Sequence, residues 1–267
     1  MFSKTLLFAT ALVASVSASP CKPRPGGAPV PALPTTGAVD LAAPNPSCAL
    51  KAIAIGHGIQ NYTCADGKAT PVAAGALAVL YDVTSLYPGT PGTGLSQEAF
   101  NALSNNTLWG SNIPLNLKDP EAARPGTPAS PNNGMPPSSY GAVVENPFIA
   151  PADLPQPNGA PLKFLGHHFF DAASNPTFDL STKNLRFSVG LKQSVDVPAN
   201  SDRGILNTGA VKWLLLNDNG KGLGNTGATS QVYRVITAGG VGEACSKEGT
   251  VPVASVPYTA FYWFYAE

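Results

Sequence analysis

From Leu185 to Lys192 every second residue is apolar: Leu185, Phe187, Val189 and Leu191 alternate with Arg186, Ser188, Gly190 and Lys192. Successive side chains of a strand point to opposite faces, so this period predicts a strand with one buried face. Similar segments recur along the chain. Leu50 to Cys64, Gly75 to Val83, Leu162 to Asp171, Val211 to Leu216, Gln231 to Thr237 and Tyr258 to Tyr265 read as further strands between turn-rich stretches. Helical spacing is almost absent between them. Glycine and proline, 27 of each in 267 residues, work against helices and supply turns. The expected fold is mainly β, an antiparallel β-sandwich or barrel with at most one or two short helices. The helix candidate is Leu95 to Leu103, with Ser96 as its cap, Glu98 near its positive end, and Phe100 and Leu103 pointing one way. Gly56 and Gly58 predict a bulge or tight bend inside the first strand.

The chain begins like an exported protein. Lys4, the apolar stretch Leu6 to Val16 and the small residues Val16-Ser17-Ala18 form a secretory signal pattern over residues 1–18, ended by Pro20-Cys21-Lys22-Pro23. Residues 19–47 follow as a proline-rich arm, with six prolines between Pro20 and Thr36, and 48–267 form one β-rich domain. That domain carries an irregular insertion at about 110–161, which holds 12 prolines and reads as a surface excursion with one strand at Tyr140 to Glu145. No later run approaches the roughly 20 apolar residues of a membrane-crossing helix. Sixteen basic residues balance sixteen acidic ones, so the chain lacks the basic surplus that displaces counterions from nucleic acid. The expected product is a soluble, extracellular or cell-wall monomer.

Four cysteines suit an oxidising compartment and allow three pairings. Cys64 with Cys245 is favoured because each ends a predicted strand, and Cys21 with Cys48 would then pin the arm. None lies in a Cys-x-x-Cys pair, so neither a metal nor a redox site is expected from them. Asn61-Tyr62-Thr63 and Asn105-Asn106-Thr107 are acceptors for glycans after export. Asn105 reads as a loop and is the better acceptor, whereas Asn61 lies in a strand and must face solvent to be used.

Candidates for chemistry are few. Gly222-Leu223-Gly224-Asn225-Thr226-Gly227 matches a dinucleotide fingerprint, but that chemistry needs a helix after the third glycine to hold the pyrophosphate. Ala228 to Val235 alternates like a strand, so the run reads as a hairpin loop and no cofactor is expected. Asn217-Asp218-Asn219-Gly220 reads as a turn. His57, His167 and His168 are the only histidines, and adjacent strand residues such as His167 and His168 face opposite ways. The catalytic candidates are His57 and His168 with Asp171, against a structural role for both rings, and Glu145 and Asp179 are further acids near aromatics. No Gly-x-Ser-x-Gly nucleophile elbow is present. Trp213, Tyr262 and Trp263 are candidates for stacking a ligand on a sheet face, against a strand buried on both faces.

The series Leu50 to Cys64, His168-Phe169-Phe170-Asp171, Pro176-Thr177-Phe178, Val211 to Leu216, Val232-Tyr233-Arg234-Val235, Thr237-Ala238-Gly239-Gly240, Cys245 and Pro257 to Tyr265 resembles a family of secreted fungal and bacterial proteins. That family is catalogued as a domain of unknown function, and its fungal members often carry an automatic malate dehydrogenase label. The resemblance covers roughly Leu50 to Tyr265 and implies a secreted β-rich protein without an assigned reaction. Its label conflicts with the residues, because a malate dehydrogenase needs a βαβ nucleotide-binding half.

Two functions from different classes follow. The first is a non-catalytic extracellular or cell-wall binding module for a polysaccharide or protein surface, including a host's. The second is a secreted hydrolase or metal-dependent oxidoreductase acting on extracellular polymer through His57, His168 and nearby acids.

Overall fold

The computed structural model describes residues 30–36, 39–64, 69–131, 135–156, 159–245 and 254–267. The predicted signal segment and Cys21 lie outside these residues. Eight strands close into one antiparallel barrel: β1 (Ala49–Thr63), β2 (Val72–Asp82), β5 (Lys163–Phe170), β6 (Pro176–Leu180), β7 (Leu185–Val195), β8 (Trp213–Asp218), β9 (Gln231–Gly239) and β10 (Ala254–Ala266). Each barrel strand pairs with the next one along the chain, and β10 closes the ring against β1 from Ala49↔Ala266 to Tyr62↔Ala254. The remaining strands, β3 (Gly126–Thr127) and β4 (Ser130–Pro131), form a separate two-stranded ribbon. The barrel alternative to a sandwich is therefore the one adopted, and closure leaves no unpaired edge in the main sheet.

Alternation divides the apolar residues between the two faces of this wall. Ala52, Ala54, Leu80, Leu165, Phe178, Phe187, Val189, Val232, Tyr262 and Phe264 fill the lumen. Ile53, Ile55, Val79, Tyr81, Trp213, Tyr233, Phe261 and Trp263 point outward and are covered in turn. Part of the cover is α1 (Gln97–Gly110), which lays Phe100, Leu103 and Leu108 on the outer face. The Ser96 hydroxyl caps the helix by accepting from the Ala99 amide at 3.1 Å. Ser96→Ala removes this bond and is expected to lower the unfolding free energy by about 1 kcal/mol, read as a shifted urea midpoint with unchanged slope.

The helix runs seven residues past its predicted end. Asn105 is consequently helical and exposed, not in a loop, while Thr107 of the same sequon is fully buried. Asn61, the other acceptor, is half-buried and accepts a hydrogen bond from Ser255 Oγ at 2.8 Å. Between Gly110 and Pro161 the chain hugs the barrel: Ile113, Leu115, Leu117, Tyr140 and Leu154 are buried in the outer apolar layer. The strand predicted at Tyr140 to Glu145 is absent. A 3-10 turn ends at Tyr140, and only Ala142 makes an isolated bridge, to Leu117. The arm also contributes to the cover, since Leu33 and Leu41 pack on the outer layer and the Ala42 carbonyl accepts from Tyr233 Oη at 3.0 Å.

Three other expectations are corrected or extended. β6 is a strand beyond those the alternation predicts. The bulge predicted at Gly56 and Gly58 does not form: both pair in register with β10 and β2, and the irregularities fall at Leu50/Ala52 and Asn61/Tyr62. Gly56 instead makes room, since a Cβ there would lie 2.5 Å from the Tyr262 ring. The disulfide forms as favoured, Cys64 to Cys245 with Cα atoms 5.7 Å apart. Cys48 lies against the Thr229 carbonyl at 3.3 Å, and its proposed partner Cys21 lies outside the described residues.

Candidate functional site: the mouth of the barrel

The sequence candidates do not converge. His57 faces outward between Ile55 and Ile59, fully buried, with Nε2 donating to the Asn112 carbonyl at 3.2 Å. His168 faces the lumen, its ring stacked on Phe178 at 3.9 Å and its Nδ1 donating to the Thr177 carbonyl at 2.8 Å. Burial pushes both imidazoles down to about 4, so both are neutral near pH 7. The barrel wall stands between them. His167 is on the outer face against Phe148, with ring centroids 4.1 Å apart.

The acids are scattered as well. Asp171 is half-buried and capped by its own turn, where hydrogen bonds from Asn175 hold its carboxyl below the usual range. Asp179 forms an ion pair with Arg186 at 2.6 Å, and Glu145 is exposed on the insertion. No group of three His, Cys, Asp or Glu side chains among the described residues is placed to hold a metal ion. Trp213, Tyr262 and Trp263 are 4%, 1% and 1% exposed, so none offers a stacking face to solvent. β10 is buried on both faces. The run Gly222 to Gly227 joins antiparallel strands β8 and β9 and folds back on β7, with Asn225 Oδ1 accepting from the Arg186 amide at 2.7 Å. No helix follows it. The turn at Asn217 to Gly220 forms through Asp218 Oδ1, which accepts from the Gly220 amide at 2.8 Å.

A ligand-sized space lies where β1, β7 and β9 end and β2, β8 and β10 begin. An open cavity of about 430 Å³ there is lined by Gln60, Tyr62, Ala73, Leu191, Val211, Leu214 and Arg234, with Asp196, Lys212 and Val241 at its rim. The disulfide ties the β1–β2 connection to the β9–β10 connection beside it. Below the opening the lumen is plugged by aromatic side chains, and Tyr258 Oη lies 2.9 Å from Tyr262 Oη. Burial raises both phenols, so these hydroxyls stay protonated.

Arg234 is the polar centre of this mouth. Register places it opposite Tyr262 on one side and Leu214 on the other, on the lumen face. Its Nε and Nη2 both donate to the Lys212 carbonyl, at 3.1 and 3.0 Å. Its charge lies close enough to hold the Tyr62, Tyr258 and Tyr262 phenols below where burial alone would put them. Tyr62 donates to the Gly240 carbonyl at 2.6 Å, and Gln60 Nε2 donates to the Gly75 carbonyl at 2.5 Å.

Sequence reasoning passed over Arg234. The available signal was a single charge between Val232 and Ile236, in a strand whose other face carries Tyr233 and Val235. A strand apolar on both faces has no routine place for a cation.

Comparison with curated proteins found no match, nor did comparison with solved structures. A family model described as "Protein of unknown function (DUF3455)" matches residues 44–266, the whole barrel with its insertion, and the chain belongs to that family.

Proposed function

We propose that this protein is exported and acts as a non-catalytic binding module, with the barrel mouth as its binding site. The observation that carries the reading is the open cavity at one end of a barrel whose lumen is otherwise filled, with apolar walls and a few polar groups centred on Arg234, the usual character of a small-ligand site. Export is supported by the signal pattern and by the disulfide. No helix among the described residues is long and apolar enough to cross a membrane. The separation of His57 from His168 by the wall supports binding over hydrolysis or redox chemistry, since those rings were the shared basis of the catalytic alternative. Burial of Trp213, Tyr262 and Trp263 moves the expected contact from a flat polysaccharide face to a concave mouth.

Blocking the mouth tests this. Ala73 is exposed on the cavity lining, so Ala73→Trp fills space without disturbing the core. The neutral fluorophore N-phenyl-1-naphthylamine is expected to brighten with the natural chain and to lose that response in the variant, with an unchanged melting temperature. Equal brightening in both proteins, or none in either, overturns the mouth as the site.

A further inference from the structure

Arg234 stands out among the partly buried cations. None of the ion pairs among the described residues includes it, whereas Arg186 has Asp179 at 2.6 Å and Lys183 has Asp82 at 3.0 Å. Withdrawing a guanidinium from water without a counter-charge is unfavourable, and here the side chain meets only neutral acceptors, the Lys212 carbonyl and the Tyr262 hydroxyl. A guanidinium carries five N–H donors, and two of Arg234's serve the Lys212 carbonyl. One more reaches the Tyr262 hydroxyl, and the remainder lie on a planar fork whose geometry matches a carboxylate.

The neighbours narrow the choice of ligand. Lys212 and Asp196 at the rim neutralise one another at 2.9 Å, which leaves one net positive charge in the mouth. One unpaired cation suits a monoanion. Tyr62 commits its hydroxyl hydrogen to Gly240, so the donors free for an anion are concentrated on Arg234. Around it stand Leu191, Val211, Leu214 and Val241, and Leu191 is 66% exposed although it continues the lumen-facing row of β7. An anion with an apolar body would cover that side chain while its head meets the guanidinium.

Resting on the mouth as the binding site, we infer that the ligand is a small amphiphilic carboxylic acid, held by its carboxylate on Arg234 and by its apolar body on the Leu191–Leu214 wall. The neutral phenols of Tyr258 and Tyr262 floor the site without a competing charge.

Dodecanoate and dodecanol, compared as displacers of N-phenyl-1-naphthylamine at pH 7, separate the two claims. Dodecanoate is expected to displace the fluorophore at a concentration about tenfold or more below dodecanol, the scale of a charge-assisted hydrogen bond. Arg234→Gln, which keeps an amide donor for the Lys212 carbonyl, should erase that preference and leave dodecanol unchanged. Arg234→Lys, which keeps the charge and loses the fork, should retain part of it. Equal displacement by acid and alcohol in the natural chain overturns the carboxylate anchor while leaving the mouth as a site. A preference for acid that survives in Arg234→Gln also overturns it. Failure of the fluorophore to bind at all sinks the mouth reading instead.

Discussion

Acidification from pH 7 to pH 4 is expected to remove roughly 6 kcal/mol of stability, about 3 kcal/mol from each of two histidines. The free imidazole value is 6.5, and burial brings His57 and His168 to about 4 in the folded chain. Between those values the unfolded chain binds protons that the native barrel refuses. Their contribution is therefore complete above about pH 6.5 and is lost as the pH falls towards 4. His167 is shifted down by the same cause and acts in the same direction. Asp153 and Asp171, whose carboxyls are held below 3.8 by Lys163 and Asn175 respectively, weaken the fold only at still lower pH, so the higher window belongs to the imidazoles. Since domains of this kind hold about 5–15 kcal/mol in total, the barrel should approach unfolding near pH 4. Urea titrations at pH 7, 5.5 and 4.5 measure the slope. A flat profile in the natural chain, or an undiminished slope in a His57→Gln, His168→Gln double variant, would contradict the argument.

Trp263→Ala carries the second large effect, about 3–5 kcal/mol of lost stability. The ring is 1% exposed on the outer face, edge-on to Tyr87 with centroids 5.8 Å apart, and its strand pairs with β1 and β9 on either side. Removing it leaves a void that the paired wall resists closing. Trp263→Phe should cost less, because the indole N–H it discards has no hydrogen-bond partner. A stacking platform on the surface would behave oppositely, with ligand binding lost and the melting temperature unmoved. Thermal unfolding of the two variants decides between these roles.

Much of the architecture was legible because a barrel wall repeats one rule, alternation, and that rule is local. β7 announces itself by Leu185, Phe187 and Val189, and the reading of Gly222 to Gly227 as a hairpin followed from the strand behind it. β6 escaped because it has only five residues and begins with Pro176, a residue that usually marks a turn. The glycines of β1 misled for a related reason. A missing side chain signals a bend and a close neighbour equally well, and only the Tyr262 ring, some 200 residues further on, decides which. The insertion was read as exposed from its prolines, yet its few large side chains, Leu115, Leu117 and Tyr140, anchor it to the wall. The site was the least legible part. Residue chemistry pointed to histidines and aromatics, while the mouth is made by strand ends distant in sequence, and Arg234 gains its meaning only when Gln60 and Leu214 are beside it.

The ring closes between the first barrel strand and the last, Ala49 against Ala266. A chain emerging in order during synthesis must keep seven barrel strands waiting, with raw margins on β1 and β9, until β10 is available. The ring therefore completes itself late, by a long-range pairing that is intrinsically slow to find, and open margins of that kind are a template for pairing with other chains in the interval.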